Sequence, residues 1–225
     1  MQLNADFSER AVVHAATLPW KASPMPGVER RMLDRIGDEV ARATSIVRYA
    51  PGSHFSPHVH DGGEEFLVLE GVFEDESGEF PAGTYVRNPP QSRHSPGSTP
   101  GCTLFVKLWQ FDLADRARVV IDTSKVAPIV PAGRDGVQVL PLFKDAREDV
   151  RVEEWAPGST TEFDAEGGLE ILVLTGGFGE GGEHFARYSW LRLPICAHFR
   201  AAAGTDGCRV WIKEGHLRHI RGVES

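Results

Sequence analysis

Cysteine is scarce in this chain of 225 residues: only Cys102, Cys196 and Cys208 occur, an odd number without a Cys-x-x-Cys pair. That argues against a disulfide framework and fits a reducing compartment, so a cytoplasmic location is expected. Long apolar runs are missing too. No stretch of about eighteen apolar residues exists, so no membrane-spanning helix is expected. The opening MQLNADFSER is polar and lacks the apolar centre of a signal peptide. Basic clusters are also absent: 32 Asp and Glu outweigh 24 Lys and Arg, for a formal net charge of −8. Nucleic-acid binding through phosphate neutralisation is therefore not expected, and a soluble acidic surface is.

What the chain does have is turn chemistry and a core. Gly (24) and Pro (15) together exceed one residue in six, and 41% of residues are hydrophobic. Many short strands fit this composition better than long helices. The chain is also written twice. Ala50-Pro51-Gly52-Ser53 returns as Ala156-Pro157-Gly158-Ser159, and Glu65-Phe66-Leu67-Val68-Leu69-Glu70-Gly71 returns as Glu170-Ile171-Leu172-Val173-Leu174-Thr175-Gly176. Tyr85 to Pro89 is answered by Trp190 to Pro194, Gly101-Cys102 by Gly207-Cys208, and Arg10-Ala11-Val12-Val13 by Arg118-Val119-Val120-Ile121. The offset stays between 104 and 109, so the blocks are collinear. Two homologous all-β domains follow, placed at residues 1–115 and 116–225, with residues 126–136 as a loop of the second. Strand-like runs at residues 44–49, 65–70, 84–87 and 103–110 are bounded by turn residues. Residues 28–40 have a loose helical pattern, but Gly37 and the strand-like match at residues 137–143 favour a strand there.

The chemical signal lies in the first copy, as Gly52-x5-His58-x-His60-x3-Glu64-x6-Gly71, followed by Pro81-x-Gly83 and His94. Alternate residues of a strand face one way, so His58 and His60 project together. Asp61-Gly62-Gly63 gives the chain a corner that returns Glu64 towards them, and His94 enters from a neighbouring strand. Three imidazoles and a carboxylate suit one divalent transition metal. An isolated His-x-His pair carries little weight; the combination carries the argument. Strand register in the second copy aligns Glu170 with Glu65, so Glu65 competes with Glu64 as the ligand, with the metal spacing favouring Glu64.

At these residues the chain resembles the cupin superfamily, and the interval TYVRNPPQSR before His94 resembles the ChrR-like cupins of zinc-dependent anti-sigma factors. His94 falls eleven residues after Gly83, farther than in the common second cupin motif. The resemblance implies two tandem jelly-roll (double-stranded β-helix) barrels, with His58, His60, Glu64 and His94 as metal ligands. Zn or Fe is the first expectation, with Ni or Mn as alternatives. In ChrR-type proteins a helical zinc-binding domain ahead of the cupin grips the sigma factor. Here the first cupin starts near residue 10, so sigma-factor binding is not expected without an added domain.

The second copy replaces His58 and His60 by Asp164 and Glu166 while keeping Glu170 and His198. A degenerate barrel is the favoured expectation, and a hard-cation site at Asp164, Glu166, Glu170 and His198 the alternative. Cys196 is read as a small hydrophobe, and Tyr85 and Arg87, recurring as Trp190 and Arg192, as parts of the fold. The resemblance favours a metal-binding regulatory or sensing module that responds to a small-molecule ligand or oxidant. The alternative is a metal-dependent dioxygenase, or related oxidoreductase, acting on a small diketone or aromatic compound. Neither nucleic acid nor membrane is an expected partner; a homodimer is compatible with the sequence.

Overall fold

The structure is a computed structural model that describes residues 1–38 and 40–220. Its described residues are strands, turns and three short 3-10 segments, with no α-helix. The all-β expectation is met, including Val28–Gly37 and Val137–Lys144 as strands. No helix is long and apolar enough to cross a membrane.

Two compact units form. The first comprises residues 1–5 and 19–125, the second residues 6–18 and 126–220. They are not contiguous halves, because each copy gives one strand from near its start to the unit built by the other. Ala11–His14 closes the second unit's sheet, with Ala11 opposite Arg192. Its repeat, Val119–Asp122, closes the first unit's sheet, with Val119 opposite Arg87.

In the first unit the sheet runs Gln2–Leu3, Val28–Gly37, Ala41–Tyr49, Cys102–Leu108, Glu64–Asp75, Thr84–Asn88, Val119–Asp122. In the second it runs Val137–Lys144, Asp149–Trp155, Ala197–Glu214, Leu169–Glu180, Ser189–Leu193, Ala11–His14. All recorded pairings along both paths are antiparallel.

Alternation divides each sheet into two faces. One face of the first unit carries the cluster of Phe66, Val68, Phe73, Phe80, Val86 and Leu104. The other carries a row of charge across neighbouring strands. Lys107 stands opposite both Thr44 and Glu65, and Glu65 opposite Arg87. Lys107 donates to Thr44 Oγ1 at 3.0 Å, Tyr85 donates to Glu65 at 2.6 Å, and Arg87 pairs with Asp115 at 2.6 Å. The second unit repeats the row as Lys213, Glu170 and Arg192. All six charged side chains are buried. Alternating sign along a buried row lets each charge be balanced by its neighbours, as burial of ions requires. This explains why Glu65, Arg87 and Lys107 recur in the second copy although the His pair does not.

Two glycines hold the repeated corner. Gly71 (φ +72°) and Gly176 (φ +67°) lie in the left-handed region. A Cβ there would stand 2.0 Å from the carbonyl oxygen of Gly101 and 2.1 Å from that of Gly207, respectively. Gly71→Ala and Gly176→Ala should each destabilise the protein by roughly 2–5 kcal/mol, combining left-handed strain with overpacking against backbone. Urea unfolding followed by tryptophan fluorescence measures this; midpoints within error of the parent would refute the close-approach account.

Candidate metal centre

His58 and His60 lie on the short strand His58–His60, paired with Ser92–His94 so that His58 is opposite His94 and Ser92 opposite His60. Residues 58, 60, 92 and 94 therefore share one face, while Val59 and Arg93 take the other. The three rings meet nearly at right angles, with centroids 4.7–5.2 Å apart. One ligand nitrogen from each lies within 4.8 Å of the others. His60 Nε2 and His94 Nε2 are 3.0 Å apart, both buried; His58 is the more exposed of the three.

Glu64 opens the strand Glu64–Asp75, and its Oε2 lies 3.5 Å from His60 Nε2 and 3.6 Å from His94 Nε2. Asn88, opposite Glu64 in register, donates to the same oxygen at 3.3 Å. Glu65 takes the other face and is held by Tyr85, away from the imidazoles. The corner between strands depends on Gly62 and Gly63. A Cβ on either would run into the rings of Trp109 and Phe111, at 2.1 and 2.5 Å.

Donors about 2.1 Å from a shared ion stand roughly 3.0 Å apart at right angles and roughly 3.4 Å apart at the tetrahedral angle. The separations of 3.0, 3.5 and 3.6 Å among His60, His94 and Glu64 sit close to that range. The arrangement fits a divalent ion, because three groups with lone pairs converge where no proton can satisfy them all. Burial pushes the His60 pKa below its ordinary value; Glu64 opposes this, and His94 and His58 reinforce it. A neutral imidazole is the form that binds metal. Behind His94, Asp75 Oδ2 lies 3.4 Å from Nδ1, the placement by which a carboxylate directs the opposite ring nitrogen towards a centre. Asp75 and Asn88 were not singled out from sequence, though the register of Asn88 against Glu64 follows from the hairpin.

A cavity of about 400 Å3 opens beside these residues. His58, His60 and Glu64 line one part of it, and Tyr49, Leu108 and Trp109 others. Burial above all, then Glu64 and Cys102, hold the Tyr49 phenol protonated far above its usual range.

The second unit does not bring Asp164, Glu166, Glu170 and His198 together. Asp164 is opposite His198 in register, yet both side chains are exposed, and His198 pairs there with Asp164 at 2.8 Å and Glu162 at 3.2 Å. Glu166 points to solvent, and Glu170 is buried against His216 at 3.1 Å. Ala165 and Phe199, the neighbours of Asp164 and His198, face inward and pack with Phe178 and Phe185. Among the described residues, the three histidines of the first unit form the one cluster able to hold a metal. The buried thiols of Cys102 and Cys208 are pushed up to about 11 and about 12, which leaves them protonated.

Residues 8–112 match the family model described as the ChrR Cupin-like domain. No curated protein matches the chain. Among solved structures, the chain is similar to a candidate dioxygenase from Nostoc punctiforme (TM-score 0.76, 14% identity, covering 97% of this chain and 87% of that one). It is also similar to Ylba from E. coli (TM-score 0.69, 15% identity, 98% and 95% covered). A third similar structure is the bacterial pirin YhhW of Escherichia coli in complex with nickel(II) (TM-score 0.65, 18% identity, 92% and 98% covered). At these identities the likeness establishes the fold.

His60→Ala or His94→Ala should reduce divalent metal from about one equivalent to near none after gel filtration, by elemental analysis. Each change removes a buried imidazole of the candidate centre, whereas Glu65→Gln leaves that side intact and should retain the metal. In the parent protein, metal should stay bound above the ordinary imidazole pKa of ~6.5 and be lost as pH falls below it. Protons compete for the same nitrogens, and the depressed His60 pKa places its own protonation on the acid side of that value. Retention of metal by both His variants would refute the assignment.

Proposed function

We propose that this chain, whose residues 8–112 match the ChrR Cupin-like domain of the cupin superfamily, is a metal-dependent oxidoreductase of the dioxygenase kind acting on a small organic substrate. His58, His60, Glu64 and His94 would hold one divalent transition metal, with Fe, Mn, Ni and Zn all compatible with a mixed imidazole and carboxylate set. The observation that carries the reading is the cavity of about 400 Å3 opening onto His58, His60 and Glu64. A site built only to brace the fold has no need of such a space, and structural metal sites are usually closed by protein ligands.

When bound, the ion supplies Lewis-acid or redox chemistry at the cavity end. The chain's own residues do the rest. Asn88 keeps the Glu64 carboxylate oriented, and Asp75 backs the His94 ring. Tyr49, protonated throughout the physiological range, offers a hydrogen bond from the cavity wall. Leu108 and Trp109 give that wall its apolar, water-excluding character.

A second reading, a regulatory module that senses a small ligand through the same metal, is favoured by the ChrR Cupin-like match. The two differ in turnover. Protein loaded anaerobically with Fe(II), or separately with Mn, Ni or Zn, should be given O2 and a panel of small diketones and hydroxylated aromatics, and oxygen uptake followed. The enzyme reading expects multiple turnovers that fall by at least about 100-fold in Glu64→Ala and His94→Ala, the scale of losing a catalytic metal contact. Saturable binding of a panel member without product would favour the sensing module and contradict the enzyme.

A further inference from the structure

The cavity is not electrically neutral along its wall. Arg30 and Arg35 both line it, although they stand five residues apart on one strand and would face opposite sides if the strand were regular. A β-bulge between Met32 and Asp34 corrects the parity. Before it Arg30 is opposite Val47, and after it Arg35 is opposite Ala43; Val47 and Ala43 both line the cavity. Asp34, inside the same segment, takes the other face with Arg42, 3.7 Å away. The bulge thus sorts the strand by charge, placing two cations on the cavity side and the acid behind.

Neither guanidinium forms an ion pair with an acidic side chain among the described residues. Arg35 donates through Nε to the carbonyl of Gly37 at 3.2 Å and through Nη2 to that of Asp38, which anchors the head group and leaves Nη1 unengaged by these bonds. The Asp38 carboxylate is taken by the N-terminal ammonium at 2.7 Å. Burial first, then the proximity of Arg30, depress the Arg35 pKa, and Asp38 opposes them only in part. In a protein of net charge −8, two neighbouring arginines turned into one cavity are a selective feature. Guanidinium groups suit the planar fork of a carboxylate.

We propose that the molecule taken up beside the metal is a small organic acid. Its carboxylate sits against Arg30 and Arg35, and a carbonyl or hydroxyl oxygen at its other end is turned towards His58, His60 and Glu64. Val28, Val47, Val106 and Leu108 receive the carbon skeleton between the two ends. This rests on the metal-centre reading above and adds the substrate class to it. A volume of about 400 Å3 lies at the small end of ligand sites and suits a small molecule.

The test uses the full chain loaded with Co(II), whose visible absorption reports both metal occupancy and ligands entering beside the metal. Pyruvate and 2-oxoglutarate are titrated against pentane-2,4-dione, a chelator of similar size that has no carboxylate and binds metal as its enolate. At least one of the two acids should perturb the spectrum saturably. In Arg30→Gln its Kd should rise about 10- to 100-fold, the usual cost of a lost charge-assisted contact. Co(II) affinity and diketone binding should stay unchanged. Arg35→Lys, which keeps the charge but loses the fork, should weaken the acid with no effect on the diketone, and the retained Co(II) spectrum shows that the unit is folded. Acid binding of equal strength in parent and Arg30→Gln, or no acid binding with Co(II) in place, would overturn the substrate class and leave the metal reading standing. Absence of the Co(II) spectrum in the parent would overturn both, and is told apart by the missing absorption itself.

Discussion

The parity of a strand decides this molecule's chemistry. In the first unit, the pairing of His58 with His94 puts residues 58, 60, 92 and 94 on one face, and Glu64 starts its strand on the same side. In the second unit the corresponding pair, Asp164 and His198, is also in register, but the inward positions fall to Ala165 and Phe199. A shift of one residue exchanges the two faces of a strand. The same hairpin is therefore a polar pocket in one copy and a packed aromatic interior in the other. The retained His198 becomes a surface residue whose imidazolium is favoured by Asp164.

Assembling the first site takes more than bringing ligands together. Three imidazoles and a carboxylate near a cavity would repel or protonate one another unless their states were controlled. Burial disfavours the charged form of His60, so the centre keeps a lone pair ready. Asn88 and Asp75 limit the orientations of Glu64 and His94. On the opposite face of the same sheet, Lys107, Glu65 and Arg87 form the alternating row that both units share. Neighbouring residues Glu64 and Glu65 thus serve two unrelated purposes, one turned to the cavity and one to the buried ion pairs.

Much of this was legible in the sequence because it rests on local periodicity. The repeat, the all-β class and the convergence of His58, His60 and His94 follow from collinear blocks, turn residues and the two-residue period. The spacing also favoured Glu64 over Glu65, and these fall on opposite faces. Other features depend on long-range register that one chain does not display. The exchange of Ala11–His14 and Val119–Asp122 between units left only the faint match of residues 10–13 with 118–121. The fate of Asp164, Glu166, Glu170 and His198 turned on strand parity, which composition cannot reveal. Arg30 and Arg35 were concealed because the bulge at Met32 to Asp34 breaks the period that a reader would apply. Asp75 and Asn88 needed the partner strand's register before they could be placed beside His94 and Glu64.

The central claim is that His58, His60, Glu64 and His94 jointly bind one divalent ion. X-ray absorption spectroscopy of the protein carrying one equivalent of Zn tests it most directly, because the fine structure counts imidazole rings and separates oxygen or nitrogen from sulfur. The account predicts a shell of nitrogen and oxygen at about 2.0–2.1 Å with the multiple-scattering signature of three imidazoles. Sulfur at about 2.3 Å, or a shell of oxygen with no imidazole scattering, would contradict it.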